Sequence, residues 1–256
     1  MEQHPSANHH RGHRVYPCAA LPIYTERHCR TDYSSWSVSS GVWKRLVVLS
    51  LPQKAHLMKR VFLTGASSGI GLATAHALVA RGHEVWGTSR DLNRLPQLKH
   101  FHPVRLDLRH HSEIHDIFVT CLREAGHFDV LINNAGSGHF GAAEFLPLPD
   151  IADQFQLLFF APLRLMQLAL AEMRPRGTGL IINVTSLAGR LPVPFMAAYD
   201  AAKAAMSAFT MSIQIELAHS RIRIVDLQPA DIRTGFNDVV IKSGCDQLYS
   251  ARIAKT

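Results

Sequence analysis

Cysteine is scarce in this chain. The four residues, Cys18, Cys29, Cys121 and Cys245, form no C-x-x-C pair. That excludes a disulfide scaffold or an all-thiolate metal site and fits free thiols in a reducing compartment. No uninterrupted apolar run has the length of a membrane span. The opening MEQHPSANHHRGHR has no apolar segment of the secretory kind. These absences point to a cytoplasmic protein that does not enter a membrane. Charged residues are only 18%. They form no basic stripe on a periodic helix and are not interleaved with aromatics, so nucleic-acid binding is not expected. No internal repeat of solenoid length is present.

What is present is unevenly placed. Residues 1–57 carry seven Lys/Arg against three Asp/Glu, +4 of the total +7. They also hold six of the 16 histidines and little periodicity, the composition of a disordered extension or of spurious sequence ahead of Met58. His9, His10, His13, Cys18, His28 and Cys29 follow no zinc spacing, so no metal is expected there. Over the whole chain 47% of residues are hydrophobic, enough for a substantial core.

From Arg60 onward short apolar runs alternate with helical patterns. Strands are predicted over 60–64, 83–88, 103–108, 128–134, 179–186 and 222–229. Helices are predicted from 69, over roughly 112–125, 150–173 and 196–219. Fully apolar strands between helices are buried on both faces, which gives an α/β fold with a doubly wound parallel sheet of about six strands, Rossmann-like, with helices on both faces.

The first strand meets its helix through LTGASSGIGLA. Gly65, Gly69 and Gly71 are spaced G-x3-G-x-G, not the G-x-G-x-x-G of the dinucleotide fingerprint. The physics is shared. Glycines permit a tight turn, and the free N–H groups of the helix start, over Gly69, Ile70 and Gly71, favour a phosphate. The hydroxyls of Thr64, Ser67 and Ser68 add donors. Farther on, Tyr199 and Lys203 in AYDAAKAA lie on one helical face, a turn apart. A phenol titrates near 10, too high for easy proton exchange at neutrality, and a neighbouring ammonium lowers it. Such a pair is suited to general acid–base work.

TGASSGIG, NNAG at 133–136 and Y-x-x-x-K at 199–203, with Ser186 thirteen residues before the tyrosine, resemble the single-domain branch of the short-chain dehydrogenase/reductase family. The resemblance covers roughly 59–236. It implies an oxidoreductase that interconverts a carbonyl and an alcohol, with Tyr199 as proton donor, Lys203 tuning it and bonding the nicotinamide ribose, and Ser186 holding the substrate carbonyl. It implies that Asp107 meets the adenine, that Asn133, Ala135 and Gly136 line the adenosine ribose side, and that Pro229, Ile232 and Thr234 contact the nicotinamide carboxamide. At the end of the second strand Ser89 stands where NAD-preferring relatives carry Asp, and Arg90 follows. A guanidinium can pair with a 2′-phosphate, so NADP(H) is expected over NAD(H). His139, Leu191, Phe195 and Phe236 are the expected substrate lip, lined for a small or hydrophobic carbonyl or alcohol. A homodimer is expected.

Two departures stand out. The family places an Asn, which holds a water behind the Lys, where this chain has Leu158; Gln154 is one turn earlier on the same face. The chain also ends inside the expected substrate loop, so the domain over 58–256 reads as truncated, without the usual seventh strand. Both leave open a second reading: a catalytically impaired dinucleotide-binding sensor or scaffold.

Overall fold

Along each central strand the side chains alternate between two apolar clusters, and this alternation fixes the layers. In the computed structural model, residues 57–230, 232 and 241–242 are described. Val61, Leu63, Val85, Val130 and Ile132 pack with Ala75 and Leu78 of the first helix. Phe62, Trp86, Leu131, Ile181, Ile222 and Ile224 face the opposite way, onto later helices.

The main strands are β1 (Arg60–Leu63), β2 (Glu84–Ser89), β3 (Phe101–Arg105), β4 (Val130–Asn133), β6 (Thr178–Val184) and β7 (Arg221–Leu227). They form one parallel sheet in the order β3-β2-β1-β4-β6-β7. A two-residue strand β5 (His139–Phe140) pairs with β8 (Ile241–Lys242) in a separate small sheet that the sequence does not announce. Helix α1 (Gly69–Val79) covers one face. Helices α2 (His111–Ala125), α3 (Leu148–Arg176) and α4 (Ala197–Glu216) cover the other.

The expected doubly wound, six-stranded sheet is therefore present, and the differences are local. β3 lies earlier than the predicted 103–108. Its ladder admits Pro103 because β3 is an edge strand with one unpaired side. It ends before Asp107, whose Oδ1 accepts the Arg109 backbone N–H at 3.0 Å and turns the chain. α3 is longer than predicted and stops at Gly177, which takes the left-handed conformation (φ 68°). α3 also has the length and apolar character of a spanning helix. Its buried residues, among them Leu165, Met166, Ala169 and Met173, belong to the core against the sheet, which accounts for that character. Within α3, Gln156–Phe160 widen into a π-helical turn.

An aromatic cluster anchors the sheet to α2. The Phe62 ring meets Phe118 edge-on at 5.1 Å and Phe128 at 5.4 Å. Trp86 meets Phe128 at 5.4 Å and stacks on His102 at 4.2 Å. Phe62 is fully buried at the middle strand of the sheet. Phe62→Ala therefore leaves a cavity in rigid surroundings and lowers unfolding stability by about 3–5 kcal/mol. A urea titration checks this as a fall in midpoint without a change in slope.

Candidate active site

The strand order reverses between β1 and β4, and in such sheets the crevice at that switch, at the C-terminal strand ends, is where ligands bind. Two turns meet there. The Thr64 hydroxyl accepts the backbone N–H groups of Asn134 (2.9 Å) and Ala135 (3.0 Å). The Asn134 amide answers by donating to the carbonyls of Thr64 (2.9 Å) and Gly65 (3.2 Å). Thr64 is fully buried, so its hydroxyl is committed to this clasp and is not the free phosphate donor expected from the sequence. Gly65 has φ +70°, and a Cβ there would stand 2.8 Å from Ala135 Cα. A Cβ on Gly71 would stand 2.0 Å from the Gly65 carbonyl oxygen. Both positions require glycine. Gly69, also at positive φ, opens α1. Ser68 precedes it, exposed, with no capping bond from its side chain. Ser67 is half-buried beside it. The free N–H groups of Gly69, Ile70 and Gly71 and these two hydroxyls make a turn that fits a diphosphate.

The end of β2 lies next to the end of β3. Ser89 is buried, and its Oγ accepts the Asp91 N–H at 3.1 Å. Arg90 is exposed. A cavity of about 300 Å³ is lined by Arg90, Arg105, Asp107 and His110 together with Glu113 and Ile117. Arg105, paired in register with Ser89, is a second guanidinium at this place that the sequence reading missed. Asn133 is different from its expected placement. Its side chain leaves the cleft and enters the core, donating to Asn183 Oδ1 at 2.9 Å and the Pro162 carbonyl at 3.4 Å.

Ser186 follows β6 and caps the turn Leu187–Gly189, its Oγ accepting the Ala188 N–H at 3.1 Å. Leu187 N–H donates to the Pro229 carbonyl at 2.9 Å, which ties the strand ends of β6 and β7 together. Tyr199, on the first turn of α4, is buried and hydrogen-bonded to the Ser186 hydroxyl. Its pKa lies above the ordinary 10, because burial penalises the phenolate; the Ser186 bond opposes this and the Asp200 charge adds to it. The net direction is upward, opposite to the lowered value expected from the sequence.

Lys203 is fully buried, and its Nζ donates to the Val184 carbonyl at 2.7 Å, 5.8 Å from the Tyr199 ring centroid. Burial pulls its own pKa down from 10.5 to about 8, with Asp226 opposing the fall. Leu158 and Gly136 close the other side: a Cβ on Gly136 would lie 3.2 Å from Leu158 Cδ2 and 3.9 Å from Lys203 Nζ. Gln154 does not take the place of the absent Asn. It is almost wholly buried, donating to the Ser137 carbonyl (2.7 Å) and accepting the His139 N–H (2.8 Å), and so clamps the loop.

The lip residues are dispersed. The His139 side chain is buried and turned to Asp150, Nδ1 3.7 Å from Oδ2, and supports the loop from behind. Leu191 is exposed on the loop before α4. Phe195 has φ 66°, an outlier for an aromatic residue. Its carbonyl accepts the Gly141 N–H at 2.8 Å, and its ring packs on Phe140 at 5.6 Å. Asp200 Oδ2 accepts the Val193 N–H at 2.8 Å and pins the same loop. Ile232 is half-buried. Thr234 and Phe236, with the N-terminal extension through His56 and nearly all of the chain after Ala230, lie outside the described residues.

The family model for short chain dehydrogenases matches residues 59–243. The probable short-chain type dehydrogenase/reductase VdlC of Helicobacter pylori is 30% identical over 195 residues, 75% of this chain and 72% of that protein. The 3-ketodihydrosphingosine reductase of Bacteroides thetaiotaomicron is 33% identical over 178 residues, 70% of this chain and 65% of that protein. The chain thus spans about two thirds of the length of these relatives. Among solved structures, a short-chain dehydrogenase from Streptomyces avermitilis aligns with a TM-score of 0.72 at 31% identity, covering 78% of this chain and 76% of that one. A metagenomic short-chain oxidoreductase in complex with NADP aligns at 0.65 and 30% identity, covering 70% and 86%. With its glycine turn, its Ser186–Tyr199–Lys203 cluster and its six-stranded sheet, the chain belongs to the short-chain dehydrogenase family.

Proposed function

We propose that this protein is an NADP(H)-dependent oxidoreductase that interconverts a carbonyl and an alcohol on a small or hydrophobic substrate. The observation that carries the reading is the bonded pair Ser186–Tyr199 beside buried Lys203, at the C-terminal end of the sheet. A nicotinamide dinucleotide, when bound, supplies the hydride or accepts it. The turn over Ser67–Gly71 holds its diphosphate. Tyr199, a phenol that carries its proton at neutral pH, gives that proton to the carbonyl oxygen in reduction. Ser186, already bonded to that phenol, holds the same oxygen as negative charge develops on it. Lys203 places a positive charge beside the phenol that favours the phenolate left behind.

Arg90 and Arg105 support the cofactor preference. Two guanidiniums flank one cavity, with no carboxylate at position 89 to accept a ribose hydroxyl. The apolar pair Phe140–Phe195 and exposed Leu191 support a hydrophobic substrate, and one relative is named for reduction of 3-ketodihydrosphingosine. Exposed Phe160, Met211 and Ile215 on α3 and α4 support a homodimer. Its place is the cytoplasm, away from membranes. Leu158, apolar behind Lys203, favours the second reading, a dinucleotide-binding sensor of little activity.

NADPH fluorescence titration followed by nicotinamide absorbance with a ketone panel separates the two. The enzyme oxidises NADPH with at least one hydrophobic ketone; a sensor binds NADPH and oxidises none. Tyr199→Phe lowers kcat by about 10²–10⁴-fold and leaves the NADPH Kd within a few-fold, because only proton transfer is lost. Arg90→Ala weakens NADPH binding about tenfold and leaves NADH binding unchanged, a difference of one charge-assisted pair; equal losses for both cofactors would reject the 2′-phosphate role.

A pH dependence follows from Lys203. Between about 8 and 10.5 the folded protein holds this lysine neutral while the unfolded chain keeps it charged. The unfolded state then binds the extra proton, so the contribution of Lys203 to stability rises with pH across that window, while the raised thiol of Cys121 contributes with the opposite sign above 9. Lys203→Met removes this rise, and thermal unfolding of the protein without cofactor between pH 8 and 10.5 measures it.

A further inference from the structure

Lys203 poses a physical problem that Leu158 sharpens. An ammonium buried in an apolar pocket is costly unless polar groups compensate it. α3 brings the apolar Leu158 close to it across Gly136, which contributes no side chain. The compensation comes from the opposite side, from β6 and β7.

The polar groups there form a connected network. Lys203 Nζ donates to the Val184 carbonyl at 2.7 Å. The next residue, Thr185, donates its hydroxyl to the carboxylate of Asp226. Gln228, two residues on along β7, donates its amide to the other carboxylate oxygen. The same amide reaches Ser207 Oγ at 3.4 Å. Ser207 is four residues after Lys203, one turn along the same face of α4, which brings the network to the lysine's side of the helix. Lys203, Ser207 and Thr185 are buried. Asp226 is in register with Asn183 on β6 and shares the face of Ile222 and Ile224, the face that α4 covers.

We infer that Asp226 is a positioning residue for Lys203: its carboxylate, fixed from both sides by Thr185 and Gln228, is the counter-charge that keeps the buried ammonium charged and anchored to Val184, in the pocket where Leu158 supplies no polar group. The inference rests on the oxidoreductase reading only for what that charge is used for. Among the described residues, Tyr199 lies beside Lys203 on its own helix, Val184 of β6 supplies the carbonyl that Nζ bonds, Leu158 of α3 lies near it across Gly136, and Asp226 of β7 and Asp200 of α4 are the neighbouring carboxylates, neither in a direct ion pair with the lysine. Of these, Asp226 acts on the lysine by charge. Asp200 is engaged with the Val193 N–H and acts on Tyr199. A carboxylate in the apolar strand IRIVDLQP is the sequence signal of the network.

Asp226→Asn tests this, because Asn keeps the shape and an acceptor for Thr185 while it removes the charge; it also loses the acceptor for the Gln228 amide, and Gln228→Ala, which loses that bond and keeps the charge, is the control and leaves the midpoint in place. The ¹³Cε resonance of Lys203, followed against pH in the full chain without cofactor, reports the lysine directly. The unaltered protein has its midpoint near 8. Asp226→Asn moves it down by about one unit, and the alkaline fall in reductase kcat moves by the same amount. Thr185→Val, which frees one side of the carboxylate, moves the midpoint in the same direction by less. An unchanged midpoint in a folded Asp226→Asn protein overturns the inference, as does a loss of thermal stability with the pH profile in place. If the unaltered protein oxidises no NADPH, the oxidoreductase reading fails, and the lysine titration still decides the role of Asp226.

Discussion

The cleft depends on one hydroxyl. Thr64 Oγ1 takes two backbone N–H groups from the turn after β4, and the amide of Asn134 returns two bonds to the turn after β1. These bonds lock together the two strand ends that straddle the reversal in strand order. Everything placed near them inherits its position from the clasp. Gly65 and Gly71 must be glycine because the turns approach so closely, and that approach sets the start of α1 beside the end of β4. Gly136, carried by the second turn, leaves space against Lys203 and Leu158 for want of a Cβ. The glycine turn and the Tyr199–Lys203 cluster thus lie along one edge of the sheet.

The second constraint is electrostatic. α4 brings a phenol and an ammonium into a region with little water, and each is pushed toward its neutral form by burial. For Tyr199 that direction keeps the proton on the phenol and makes it harder to give up. For Lys203 it works against the charge, which must be upheld from elsewhere. Two strand ends do so, with a carbonyl from β6 and a carboxylate on β7. The same strand ends carry Ser186 and Pro229, joined through Leu187, so the groups that support the lysine and the groups that face the reacting atoms move as one unit.

Much of this was legible in the residues. Fully apolar strands alternating with helices give a parallel sheet covered on both faces, and the strands stand where that pattern puts them except β3, whose edge position tolerates Pro103 and lets Asp107 end it early. The glycine spacing marks the tight turn, and the Tyr199–Lys203 spacing marks one helical face. The direction of side chains was not legible. Thr64 and Asn133 looked like cleft residues, but one serves the clasp and the other the core. Gln154 looked like a stand-in behind Lys203, yet the loop at Ser137–His139 consumes its amide. The β5–β8 pair joins segments a hundred residues apart and has no local signature.

The sheet, the order of its elements, the sharp turn after β1 and the chemical types that meet at its edge follow from periodicity, glycine and residue chemistry, which are local properties of the chain. The charge balance came with the packing: that Tyr199 is raised rather than lowered, that Lys203 turns to Val184, that Arg105 joins Arg90, and that Asp226 is held by Thr185. Those outcomes depend on burial and on distances between strands that are far apart in sequence, and desolvation and Coulomb interactions are set by that packing alone.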